Sequence, residues 1–503
     1  PPLSVLGNIP PFTPRPTTTP LLNTMNVGTP TVIPPIKVPM NTAPTGISVT
    51  FNQNATAATF SDVGANNARN VMQVFGTTSQ GYRSGQGFSG AGAILTFTTT
   101  ANFNVGEQVW VTVTNAQSTG GAPTRPFVMG FRTAAGTGPA TFYPSNILPK
   151  LDNNGNAATD VGDLDGDGDL DIVSTNAAGL AVHLQTGVNT GTFSLSPAFG
   201  WGAASGGQAR TLRLADVNND GNLDALALNA LTPRALAVWF GDGAGGFGAA
   251  SVLTIASAWN IGSLSIGDID GDGDLDAVSG DFSTTNTYIF TNNGSGVFSV
   301  SIITGIATVT STALGDIDGD GDLDIVGLGT TQLVTQMNSG FGTFSAPVTY
   351  TMGTANAQLT LADMNSDGAL DVIFADDATV QVRLNGGLGT VWTPSTGSPY
   401  AVGASARLTV ADFNGDGRLD IASPTGGSPL TNFILLNGGG LSPNFAPVAV
   451  GASYPRLSGW IAWAINSVTS GDMDGDGDID VVYVTESPNH VTILKNGIQP
   501  TIT

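Results

Sequence analysis

The 503-residue chain contains no cysteine, which excludes a disulfide framework and any thiolate metal site. Only two of its residues are histidine, His183 and His490, and neither has a Cys or Glu nearby at zinc spacing. Each falls in a short β-patterned segment, where a structural role is expected. Basic residues number 15 and are scattered, so no cluster is available to neutralise phosphates and nucleic acid is not an expected partner. No apolar run approaches the length of a membrane span. Pro1-Pro2 carries no charged-then-apolar leader, so Pro1 is read as a mature or processed terminus. A nucleophile elbow and a phosphate-cradling loop are both missing. Asp376-Asp377 is a lone acidic pair that reads as a solvated turn, and no enzyme activity is expected.

Aspartate is what the chain has in excess. There are 36 Asp against 2 Glu, and 29 of the Asp lie in seven copies of one nine-residue pattern, Asp-x-Asp/Asn-x-Asp-Gly-x-Leu/Ile-Asp. The copies begin at Asp163, Asp216, Asp268, Asp316, Asp363, Asp412 and Asp472, at intervals of 53, 52, 48, 47, 49 and 60 residues. A period near 50 is the size of one four-stranded propeller blade. Position three is Asp165, Asn218, Asp270, Asp318, Asn365, Asn414 or Asp474, so either kind of side-chain oxygen serves. Position five (Asp167, Asp220, Asp272, Asp320, Asp367, Asp416, Asp476) and position nine (Asp171, Asp224, Asp276, Asp324, Asp371, Asp420, Asp480) never vary. Position six is always Gly, as expected where a chain turns sharply around an ion. Position seven is Asp169, Asn222, Asp274, Asp322, Ala369, Arg418 or Asp478, a tolerance that points to ligation through the backbone carbonyl.

Hard oxygen donors at positions one, three, five, seven and nine suit calcium, whereas magnesium wants a tighter octahedron with more retained water. Acidic turns without an ion are disfavoured by the mutual repulsion of up to five carboxylates in nine residues. Seven calcium ions would change the formal charge from −23 to −23 + 14 = −9. Calcium-rich conditions are extracellular, so a location outside the cell or on its surface is expected.

Residues 1–44 hold 12 of the 29 prolines and read as an extended arm. Its apolar β-formers Val32, Ile33, Ile36 and Val38 suit pairing with a sheet edge, in a neighbouring subunit or in the same chain. Residues 45–136 show short alternating runs at Ile47–Phe51, Val71–Phe75, Ile94–Phe97, Gln108–Val113 and Phe127–Arg132, which predict a β-sandwich. Their order resembles the bacterial Ig-like domains of surface proteins, which act mainly as spacers or binding modules.

Residues 139–503 carry the repeats. Each has a strand entering the loop, a strand leaving it, a third strand, an Asn-Gly-rich turn and a fourth strand near an aromatic, as at Phe193, Phe247, Phe298, Phe344 and Phe445. With the acidic loops, this closely resembles the FG-GAP/VCBS repeat family, whose best-known relatives are the integrin α-chain heads. The resemblance implies an all-β, seven-bladed propeller with calcium between the first and second strands of each blade. The seventh repeat stops at Lys495-Asn496-Gly497 without a fourth strand, and Thr141–Leu148 looks like an orphan fourth strand that closes the ring.

The long interval before the seventh loop holds an insertion with Tyr454, Trp460 and Trp463, candidates for a glycan platform or a subunit contact. Two functions follow from these features. One is a calcium-stabilised structural subunit of a microbial surface filament or coat, self-associating through the arm. The other is a surface adhesin or carbohydrate-binding propeller, in contact with a glycan or another surface protein.

Overall fold

The computed structural model describes residues 22–27, 47–51, 72–79, 87–91, 94–98, 103–113, 127–140 and 142–149. From 158 to 497 it describes all but 187–190, 203–208, 230–233, 256–261, 282, 305–307, 353–357, 377, 403–406, 426–430, 451–464 and 486–489. Every regular element among these residues is a β-strand.

Seven antiparallel sheets form the repeat region. In blade four, for example, Val309–Gly315, Asp324–Gly329, Gln332–Gln336 and Val348–Thr351 pair in sequence order. First strands touch first strands all the way round, and that of blade seven, Ile465–Gly471, returns to that of blade one, Thr159–Gly162. Ser467 Oγ donates to the Thr159 carbonyl across this junction at 3.3 Å.

The second strand of a blade has both faces covered, because a neighbouring blade packs on each side. Asp171–Asn176, Asp224–Asn229 and Asp324–Gly329 are buried at every residue, a departure from the strict alternation expected of half-buried strands. Outermost strands such as Phe298–Thr304 are mostly exposed after their first residue. An apolar cluster fills each gap between blades. Leu180, Val182 and Trp201 of blade one meet Leu212, Ala227 and Trp239 of blade two. Round the ring, Val161 and Ile172 of blade one meet Val482 and Ile493 of blade seven.

The ring closes as the sequence predicts. Phe142–Pro149 pairs antiparallel with His490–Asn496, the third strand of blade seven, in a register running from Phe142 opposite Asn496 to Pro149 opposite His490. Phe142 is buried in the cluster between blades six and seven, edge-on to Phe413 at 5.6 Å.

Before the propeller, the described strands form two sheets. One orders Leu22–Val27, Ile47–Phe51, Ile94–Thr98 and Gly87–Ala91; the other orders Met72–Gly76, Gln108–Val113 and Phe127–Arg132. The Ig-like assignment rests on connections outside the described residues. The arm's described strand lies at Leu22–Val27, upstream of the expected Val32–Val38, and pairs with Ile47–Phe51 of the same chain. Residues 28–46 are outside the described set.

The three-stranded sheet sits on the face of the propeller that carries the acidic loops. Phe75 is buried in the cluster between blades two and three, Val128 in that between blades three and four, and Trp110 packs against both. Buried Glu107 shapes one edge of this contact: its carboxylate accepts the Thr78 and Ser79 amides at 2.8 and 2.7 Å, fixing a turn whose Thr78 carbonyl accepts the Asp163 amide at 2.7 Å.

Candidate metal centre

Each acidic loop joins the first and second strands of its blade, and its ninth residue, always Asp, begins the second strand. Two residues per loop have positive φ. Position six does so at Gly168, Gly221, Gly273, Gly321, Gly368, Gly417 and Gly477, as the sequence leads one to expect. Position four does so as well, at Gly166, Asn219, Gly271, Gly319, Ser366, Gly415 and Gly475. That second reversal was legible as a run of Gly and Asn broken only by Ser366.

Position two is the other site residue that sequence reasoning missed. It is Leu164, Val217, Ile269, Ile317, Met364, Phe413 or Met473, all at most 5 % exposed. The apolar side chain roots the loop in the core between blades, so the carboxylates of positions one and nine, eight residues apart, are held by a buried stem between them. The signal was present as an unbroken series of large apolar residues after the first Asp.

Position nine is a two-sided clamp in all seven loops. One of its oxygens accepts the amide of position two, as in Ile317 to Asp324 Oδ2 at 3.0 Å. The other accepts an amide at the end of the third strand, as in Asn338 to Asp324 Oδ1 at 2.7 Å. Position one accepts amides from within the loop, such as Gly166 and Gly168 on Asp163 at 2.7 and 3.1 Å. These bonds fold the loop so that carboxylates converge. Oxygens of Asp163, Asp165 and Asp171 lie within 4.8 Å of one another, and so do those of Asp268, Asp270 and Asp276, of Asp316, Asp318 and Asp320, and of Asp472, Asp474 and Asp480.

Loop seven supplies the test of fit for a cation. Oδ1 atoms of Asp472, Asp474 and Asp478 are buried without a hydrogen-bond partner, although Asp472 and Asp478 are only 8 % and 7 % exposed. Orphaned carboxylate oxygens are costly unless a cation takes them. Burial, with a further push from neighbouring loop carboxylates, raises the position-nine carboxyls: Asp171, Asp224 and Asp324 to about 8, Asp276 to about 9, Asp371 and Asp420 to about 7. The same causes raise Asp268, Asp316 and Asp472 at position one to about 7. An all-oxygen donor set under this strain fits calcium, which would remove the repulsion by direct ligation.

The loops differ in strength of field. Loops two, five and six have three Asp each where the others have five. In loop six, Arg418 pairs with Asp416 and its Nε donates to the Asn437 carbonyl at 2.9 Å, so a guanidinium already neutralises part of the site. In loop seven, Lys495 Nζ lies 3.0 Å from Asp474. Weakest calcium binding is expected at loops two, five and six.

A further element links successive loops across five of the blade junctions. Asn292, Asn338, Asn385, Asn437 and Asn496 lie at or just past the ends of the third strands of blades three to seven, are buried, and each donates its side-chain amide to the position-two carbonyl of the preceding loop at 2.7–2.8 Å. Asn385 is fully engaged: Nδ2 also reaches the Leu370 carbonyl at 3.2 Å, and Oδ1 accepts the Gly387 and Gly389 amides at 3.0 Å. Asn385→Ala is expected to destabilise the protein by about 1–3 kcal/mol, since it strands buried carbonyls and amides at once. Chemical denaturation with calcium held constant measures this, and a change under about 0.5 kcal/mol would refute the role.

His183 is buried in a third strand and His490 half-buried in another, as expected. Asp376 accepts the Ala378 and Thr379 amides in a hairpin turn. Tyr454, Trp460 and Trp463 lie outside the described residues.

Three stretches, residues 163–227, 274–327 and 363–423, match the family model of FG-GAP-like repeats. No curated protein matches the chain. Among solved structures, the chain is similar to an Agrocybe aegerita lectin described as recognising non-reducing terminal N-acetylglucosamine, at 20 % identity over 76 % of this chain and 90 % of that one, with a TM-score of 0.45. It is also similar to BBS1N in complex with ARL6DN, at 13 % identity over 72 % of this chain and 100 % of that one, with a TM-score of 0.44. A functionally unknown protein from Desulfotomaculum acetoxidans is 12 % identical over 59 % of this chain and 85 % of its own, with a TM-score of 0.40. Seven sheets closed in a ring, five of four strands and two of five, together with the repeated acidic loop and the matching repeat family, make the region from Phe142 to Asn496 a seven-bladed β-propeller of FG-GAP-like repeats.

Proposed function

We propose that this chain is a calcium-rigidified structural protein of an extracellular surface, with its metal loops acting as joints of the fold. The observation that carries this reading is the use of the loop face inside the molecule: the three-stranded sheet before the propeller rests on it. A face engaged in this way supports a scaffold better than a recognition surface. The concentration of acid in loops that suit calcium supports a calcium-rich location, and no helix among the described residues is long and apolar enough to cross a membrane.

Self-association through the arm belongs to the same proposal. Leu22–Val27 is the edge strand that covers Ile47–Phe51, and its main-chain pairing is a bond pattern that a neighbouring copy's arm can supply equally well, as in strand exchange. Deleting residues 1–40 is expected to give a folded, calcium-binding monomer, and sedimentation against the full chain measures it. Assembly that survives the deletion unchanged overturns the arm's role.

A further inference from the structure

We propose that calcium in the propeller loops controls the docking of the three-stranded sheet formed by Met72–Gly76, Gln108–Val113 and Phe127–Arg132, and that this sheet in turn tightens calcium binding. The inference rests on the calcium reading of the loops, and adds to it a mechanical connection between ion and interdomain contact.

The contacts fall on the ligand-bearing and turn positions of the loops themselves. Thr112 Oγ1 donates to Asp268 Oδ2, the first carboxylate of loop three, at 2.8 Å, and both residues are 1 % exposed. The Val128 amide donates to the carbonyl of Gly321, position six of loop four, at 2.7 Å, and the Gly136 amide to that of Gly477, position six of loop seven, at 2.6 Å. The Thr78 carbonyl accepts the amide of Asp163, position one of loop one, at 2.7 Å. Two more loop glycines are pressed against the same segment. A Cβ on Gly273 of loop three would come within 2.4 Å of Gln73 Oε1, and one on Gly415 of loop six within 2.3 Å of the Gly136 carbonyl.

Position six lies between ligands five and seven, so the direction of its carbonyl is set by how the loop wraps its ion. Without the ion, repulsion among buried carboxylates opposes the loop conformation that presents the Gly321 and Gly477 carbonyls to Val128 and Gly136. Apolar burial of Phe75 and Val128 favours docking in either state, and calcium adds the geometric part. Linkage makes the effect reciprocal: a sheet that prefers the wrapped loop raises the loop's affinity for calcium by the same factor. Thr112 is the positioning residue for loop three, because its hydroxyl orients a ligand carboxylate from outside the coordination sphere.

Two measurements on the full-length protein test this. The first is amide hydrogen exchange with about 2 mM calcium and after removal of calcium by EDTA. The expected result is exchange at Val128 and Gly136 at least about tenfold faster without calcium, beyond any change at the second-strand amides of Val326 and Ile373. Equal protection of Val128 and Gly136 in both conditions overturns the proposal. The second is calcium titration of Thr112→Val, which keeps the volume of the side chain and removes its donor. One site is expected to weaken by about tenfold, with the others unchanged. This arm also decides the case in which EDTA unfolds the whole ring and all amides exchange together. Unchanged affinity in Thr112→Val sinks the coupling while leaving the calcium sites intact, whereas a wild-type chain that binds no calcium sinks the calcium reading and this inference with it.

Discussion

Excess EDTA is expected to lower the melting temperature steeply and to leave a chain of marginal stability at 25 °C. If each loop binds calcium at about 0.1 mM and free calcium is about 1 mM, mass action contributes about 1.4 kcal/mol per site and about 10 kcal/mol over seven. That is comparable to the whole net stability of an ordinary domain. Scanning calorimetry with calcium and with EDTA measures it, and equal melting temperatures would refute the claim. The dependence on pH carries a sign of its own. Burial raises several of the folded loop carboxyls, from about 6 at Asp163 to about 9 at Asp276, against an unfolded value near 3.9. Without metal, the folded chain therefore holds more protons than the unfolded one, and its stability falls as pH rises from about 4 through about 9. Calcium competes with those protons for the same oxygens, so the calcium-loaded chain escapes most of that loss. The gap in melting temperature between calcium and EDTA is accordingly expected to widen from pH 5 to pH 8. A gap that narrows would contradict the assignment of these carboxylates to the ion.

Loss of the closing strand is expected to be the most damaging covalent change. A chain starting at Lys150 lacks Phe142–Pro149, leaves the edge of His490–Asn496 unpaired, and opens the cavity vacated by Phe142 between blades six and seven. Removing a buried Phe costs about 3–5 kcal/mol, and the lost pairing adds to it, so a fall in melting temperature on the order of 10 °C is expected. The bare edge is also expected to drive association between copies. A chain starting at Gly138 is the control, because it drops the preceding sheets and keeps the closing strand. Equal melting of the two truncated chains at the same calcium concentration would show that Phe142–Pro149 does not hold the ring.

Much of this was legible in the sequence because the information is local and repeated. A nine-residue loop with carboxylates at odd positions and glycine at the sixth defines its own turn, and seven copies spaced 47–60 residues apart fix the number of blades. Even closure could be read, since a repeat without its fourth strand and an orphan strand ahead of the first loop complement each other. Buried stems at position two and left-handed turns at position four were also written in the repeats. Their meaning depends on knowing that blades pack on both faces.

The remaining features belong to tertiary structure. The side chain of Asn385 looks like part of a glycine turn until the neighbouring blade brings the Ile317 carbonyl to 2.8 Å. Thr112 is an ordinary strand residue until folding sets it against Asp268, 156 positions away. The arm's described strand, Leu22–Val27, finds its partner in Ile47–Phe51, since main-chain pairing depends on which edge is within reach and not on side-chain pattern. The sequence by itself determined the acidic loops and the ring, because short-range chemistry and periodicity encode both. Only the tertiary structure decided that the sheet before the propeller rests on the loop face, because contacts between distant segments follow from shape and burial and leave no period in the sequence.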